Sequence, residues 1–95
     1  MSANSGIVLG SNISATPSTV FLWTGGIGMF SVEATWGGGT VSLEFKTLNG
    51  TWIAVGADTT LTANGGGAFL LPAGTAIRAA VTTATAVYAY AIGMN

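Results

Sequence analysis

The chain has 95 residues, 49% of them hydrophobic, with two basic and three acidic side chains, no histidine and no cysteine. An average domain of this length carries about 24 charged residues. With Lys46 and Arg78 as the only cations, binding to nucleic acid or anionic lipid through positive charge is excluded. The missing His and Cys remove imidazole catalysis, thiol nucleophiles, disulfides and nearly all zinc sites.

Residues 1–17 are small and polar, rich in Gly, Ser and Asn, with Ile7, Val8 and Leu9 as their apolar cluster. They read as an extended N-terminal arm with at most one short strand, ahead of a single domain over 18–95. The amino end lacks the basic start and long apolar run of a secretory signal, and no stretch of about 20 apolar residues is present to cross a bilayer. The expectation is therefore no membrane contact. Residues 19–23 form a short β-rich run in which Trp23 reads as core filling, and Gly25-Gly26 marks a turn.

From Ile27 to Lys46 the pattern has period two. Phe30, Val32 and Ala34 alternate with Met29, Ser31 and Glu33; Val41, Leu43 and Phe45 alternate with Ser42, Glu44 and Lys46. Such alternation marks strands with one face on a core. Gly37-Gly38-Gly39 reads as a hairpin turn between them. Pairing Ala34 with Val41, Val32 with Leu43 and Phe30 with Phe45 keeps the large apolar groups on one side. That register predicts Glu33 and Glu44 on a shared outer face. Asn49-Gly50 is a second hairpin signal, and a three-residue loop with Gly50 in a bulge sets Val55 opposite Phe45.

Residues 59–62 read as a short polar strand and Asn64-Gly65-Gly66-Gly67 as a flexible turn. Pro72-Ala73-Gly74 is another turn. Further on, Ile77, Ala79 and Val81 alternate with Ala76, Arg78 and Ala80, and Tyr88, Tyr90 and Ile92 with Val87, Ala89 and Ala91. In this last pair both faces are largely apolar, as expected where one meets the core and the other a neighbour. The predicted fold is all-β: a single antiparallel β-sandwich or jelly-roll-like domain of about eight short strands.

Little here carries chemistry. Glu33 and Glu44 on one face resemble a glycosidase pair only superficially, because Lys46 beside Glu44 makes a solvated cluster the plainer reading. Asp58 supplies one carboxylate, far short of a calcium shell. Gly26-Ile27-Gly28 lacks the rest of a phosphate-cradling motif. No catalytic residue, metal site or cofactor is expected. Exposed tryptophans stack on sugars or anchor protein interfaces, and Trp36 and Trp52 both border turns. Ile7, Val8, Leu9, Trp36, Trp52, Tyr88 and Tyr90 are the interface candidates.

The runs WGGGTVSLEFKTLNGTW, FLLPAGTAIRAAV and VYAYAI resemble small β-rich virion proteins of tailed bacteriophages, above all the capsid decoration or cement proteins. The resemblance spans roughly residues 21–92 and rests on turn and strand signals. It implies a homotrimer, made in the host cytoplasm, that sits on the outer surface of an icosahedral head and bridges major capsid protein subunits. In such proteins an amino-terminal arm often makes the capsid contact, which the resemblance transfers to residues 1–17. The residues themselves support a non-enzymatic protein whose nearly uncharged surface is covered by partners. The alternative is a glycan-binding module, such as a phage tail tip or lectin-like adhesin, using Trp36 or Trp52 with Asn49 or Glu33.

Overall fold

A computed structural model describes residues 6–93. The first five residues of the stretch set apart as an arm lie outside the described residues, as do the last two of the chain. Nine strands form two antiparallel sheets: β1 Gly6–Ile13, β2 Phe21–Leu22, β3 Gly26–Thr35, β4 Thr40–Lys46, β5 Trp52–Ala54, β6 Thr60–Leu61, β7 Gly65–Leu71, β8 Ala76–Thr82 and β9 Thr85–Gly93. The first sheet runs β1-β9-β3-β7 and the second β2-β8-β4-β5, with β6 also pairing β4. The all-β sandwich expected from the period-two patterns is what forms.

The inward rows follow the alternation. Leu9, Phe30, Val32, Phe69, Leu71, Val87, Ala89 and Ala91 of the first sheet meet Val41, Leu43, Ile77 and Ala79 of the second. Trp23 joins them and is fully buried: its indole Nε1 donates to the Gly26 carbonyl at 3.1 Å, and its ring lies 4.8 Å from that of Phe69. Gly28 makes the space, since any Cβ there would run into both rings.

The pairing of β3 with β4 corrects the expected hairpin. They lie in different sheets: β3 pairs β9 and β7, whereas β4 pairs β8, β5 and β6. Phe30 and Val32 therefore share a core with Val41 and Leu43 across the sandwich rather than along one sheet. The turn itself is as read: Gly39 N–H donates to the Trp36 carbonyl at 2.7 Å, with Gly37 and Gly38 at φ 53° and 81°. Glu33 and Glu44 consequently sit on opposite outer faces, and no carboxylate pair exists between them.

Three further details differ from expectation. The 47–51 turn closes by Thr47 N–H donating to the Thr51 carbonyl, so Phe45 pairs with Ile53, and Val55 N–H reaches Leu43 O instead. The face of Val55 is as expected, with the register displaced by two. Gly65–Gly67 belong to β7 and pair with Val32, Ser31 and Phe30. At position 67 glycine is required because the 3-10 turn Ala57–Thr59 presses its Asp58 backbone where a side chain would project. Finally, residues 6–13 of the presumed arm form a strand of the sandwich, paired to β9 with register shifts between Val8 and Gly10 and between Gly10 and Ile13.

Gly39 is packed against the backbone of the β8–β9 connection, where a Cβ would collide with Ala84 N and Thr82 O. Backbone cannot yield as a side-chain tip can. Gly39→Ala is expected to lower stability by about 3 kcal/mol. Gly38→Ala, which meets only open space but has a left-handed φ, costs about 1 kcal/mol. Urea unfolding of the two variants checks the order; equal losses would refute the packing account.

Candidate functional site

The outward faces of the two sheets differ in chemistry. On the second sheet, Glu44 lies directly opposite Arg78. The guanidinium donates from Nε at 2.9 Å and from Nη2 at 2.8 Å to the same Glu44 oxygen, and its carbon lies 4.3 Å from the centre of the Trp52 ring. Ion pair and cation–π contact are each worth about 1 kcal/mol or less at such exposure. They nevertheless occupy Trp52 and cancel two of the charges. Lys46, opposite Trp52, completes a small polar patch.

The outward face of the first sheet is apolar at one end. Ile27, Met29 and Leu70 are exposed, Leu70 at 69%, and pairing places Ile27 beside Leu70 and Met29 between Ile92 and Ala68. No charged side chain lies among them. Sheet faces in a soluble domain normally alternate apolar-in with polar-out, so this end lacks the polar cover that water requires.

At the other end the same face sinks into a trough. One part, about 480 Å³, is lined by Val8, Gly10, Ser11, Ser31, Glu33 and the tyrosines Tyr88 and Tyr90. A second part, about 320 Å³, is lined by Glu33, Ala34, Thr35, Asn64, Ala86 and Tyr88. Glu33 and Tyr88 are cross-strand partners and belong to both, so the two parts meet at that pair. Tyr90 leans across β1: a side chain at Gly6 would strike its ring.

Of the interface candidates, Val8, Tyr88 and Tyr90 are brought together on this face. Leu9 is not a surface residue: at 2% exposure it is core, because the strand alternation turns it inward. Ile7 is half-buried and packs on the core as well. Trp52 is on the opposite sheet beneath Arg78. Trp36 is half-buried at the rim of the trough, its Nε1 donating to Asn64 Oδ1 at 2.8 Å, while Ala34 N–H donates to the same oxygen at 3.1 Å. Sequence reasoning missed Ile27, Met29, Leu70 and Asn64; the first three carried a signal, being apolar residues on the face opposite the core-directed ones. Among the described residues no group of three or more acidic, His or Cys side chains stands close enough to hold a metal.

With this geometry in hand, comparison with known proteins is informative about fold. No protein-family model matches the chain, and no curated protein matches it by sequence. Among solved structures, the chain is similar to the crystal structure of the SPBc2 prophage-derived protein YomS, with a TM-score of 0.72 and 10% identity over 94% of this chain and 90% of that one. At that identity the shared feature is the β-sandwich.

Asn64 spans the cleft between Trp36 and β3 with one oxygen. Asn64→Ala is expected to cost about 1–2 kcal/mol and to leave the indole N–H to water. Asn64→Asp, which keeps the acceptor, should retain most of that stability. Thermal melts give the first number and a red shift of tryptophan emission the second.

Proposed function

We propose that this chain is a non-enzymatic phage virion protein that decorates and stabilises an icosahedral head, associating with copies of itself and bridging major capsid subunits. The observation that carries the reading is the apolar end of the first sheet's outward face, where Ile27, Met29, Leu70 and Ile92 stand without a charged neighbour. Contiguous exposed apolar surface of this kind marks protein contact. Two further facts support it. The folded surface of 4910 Å² carries only five charged side chains, roughly one per 1,000 Å². The sandwich is also the fold of a prophage-derived protein.

On this reading the face buries aliphatic surface against the shell, and attachment is insensitive to salt because few charges contribute. Gly6–Ile13 is an edge strand of the sandwich, so capsid contact falls to the sheet face rather than to those residues. Trp52, held beneath Arg78 on the far side, takes no part.

The protein is expected to pellet with phage heads in a fixed number of copies per particle, and 1 M NaCl should not release it. Met29→Lys with Leu70→Lys places two charges in the contact and should reduce bound copies at least tenfold, about 1.4 kcal/mol or more, with an unchanged circular dichroism spectrum. Light scattering of the free protein reports the oligomer, expected to be a trimer. Trace, unsaturable binding, or binding indifferent to the double substitution, would refute the reading.

A further inference from the structure

The trough at the other end of the face differs from its apolar half in three respects. Its backbone is irregular where the apolar end is regular. The β3–β7 ladder runs unbroken from Gly26 to Val32, whereas all register shifts of the first sheet fall along the trough: two on β1 around Gly10, and one between Glu33 and Thr35 against β9. Bulges re-aim side chains and are over-represented beside functional sites. Ala86, in the trough, holds φ at 50°, and Asn12 on the adjoining edge holds 55°. Non-glycine residues at such angles cost free energy and persist only where surrounding structure imposes them.

Its polar groups are also unspent. The side chains of Tyr88, Tyr90, Glu33, Ser31 and Ser11 make no hydrogen bond to the other described residues. They converge on one hollow whose size lies within the range of small-molecule sites. Finally, its aromatic rings are partly open, with Tyr88 48% and Tyr90 37% exposed, two positions apart on β9 and therefore on the same face.

These features select a ligand class. Half-open rings offer π-faces to a molecule with an apolar side. Free hydroxyls and a carboxylate suit a ligand that presents many hydroxyl groups. The trough has one acidic side chain and no basic one, so phosphorylated or sulfated ligands are disfavoured. Running from β1 across β9 and β3 to the loop at Asn64, it covers three strand spacings, about 14 Å. That is room for a short chain rather than a single ring. We infer that the trough formed by Tyr88, Tyr90, Glu33, Ser31 and Asn64 binds a neutral oligosaccharide. The rings stack on the sugar faces, while Glu33 accepts from sugar hydroxyls and Ser31 exchanges hydrogen bonds with them. Its lining includes none of Ile27, Met29, Leu70 and Ile92, so binding by the free protein does not rest on capsid attachment.

A printed array of neutral and acidic glycans, probed with the full chain, selects the ligand. Maltohexaose, cellohexaose and chitohexaose titrated into ¹⁵N-labelled protein then locate it. Neutral glycans should bind with a Kd of about 1 mM or tighter, shifting amides of residues 31–35 and 86–90. Tyr88→Ala should weaken binding about tenfold, and Glu33→Gln should weaken it without changing the melting temperature. Leu48→Ser, in the exposed 47–51 turn of the other sheet, should leave it unaltered. The inference is overturned if no neutral glycan binds, if acidic glycans bind better than neutral ones, or if a folded Tyr88→Ala, Tyr90→Ala double variant binds as the parent does.

Discussion

Strand β9 is apolar on both sides, and the rest of the molecule is arranged around that constraint. Val87, Ala89 and Ala91 face inward and are essentially without solvent contact, so the strand must lie over the core. It is a central strand, lying between β1 and β3. The small inward alanines let the second sheet come close, with Ala79 and Ile77 opposite. Its outward residues, Tyr88, Tyr90 and Ile92, then define the exposed face. Ile92 joins the aliphatic end, and the two tyrosines floor and wall the trough. One strand thus supplies both the centre of the fold and much of the first sheet's outward face.

Which residues face the core was legible in the sequence, because alternation depends only on the strand's own pleat. Phe30 and Val32 point inward as read, as do Val41 and Leu43; on β8 and β9, where both faces are largely apolar, alternation alone did not say that Ile77 and Ala79, and Val87 and Ala89, are the inward rows. Which strands pair was not legible. Two strands joined by three glycines keep their apolar rows on a common dry side whether they lie side by side or face each other across a sandwich. The chain crosses between sheets after β1, β2, β3, β6, β7 and β8, so the hairpin reading held only for β4 and β5. Turn chemistry at Gly37 and Gly38 is the same in either case.

The site was half legible for related reasons. Tyr88 and Tyr90 announce themselves as outward aromatics on a strand whose other side is also apolar. Trp36 and Trp52, chosen because they border turns, are engaged within the protein by Asn64 and Arg78. Those partners are 28 and 26 residues away, and no local pattern reports such contacts. Leu9 shows the same limit: in a stretch of small polar residues it read as an interface candidate, yet the strand turns it into the core. The likeness to YomS at 10% identity carries the same message. An alternation of small and large apolar residues specifies a sandwich through many sequences, leaving outward residues free to differ.

The lateral margins of the two sheets have a consequence for life at high local concentration. An unpaired strand edge is a template on which a second molecule can add its own strand. Three of the four margins are poor templates: β2 has two residues, β5 three, and β1 is twice thrown out of register within eight residues, which leaves the seven-residue β7 as the regular margin. Molecules crowded side by side on a surface would find β7 as the one regular rail along which to zip together, and a single rail per molecule pairs two copies rather than building a fibre.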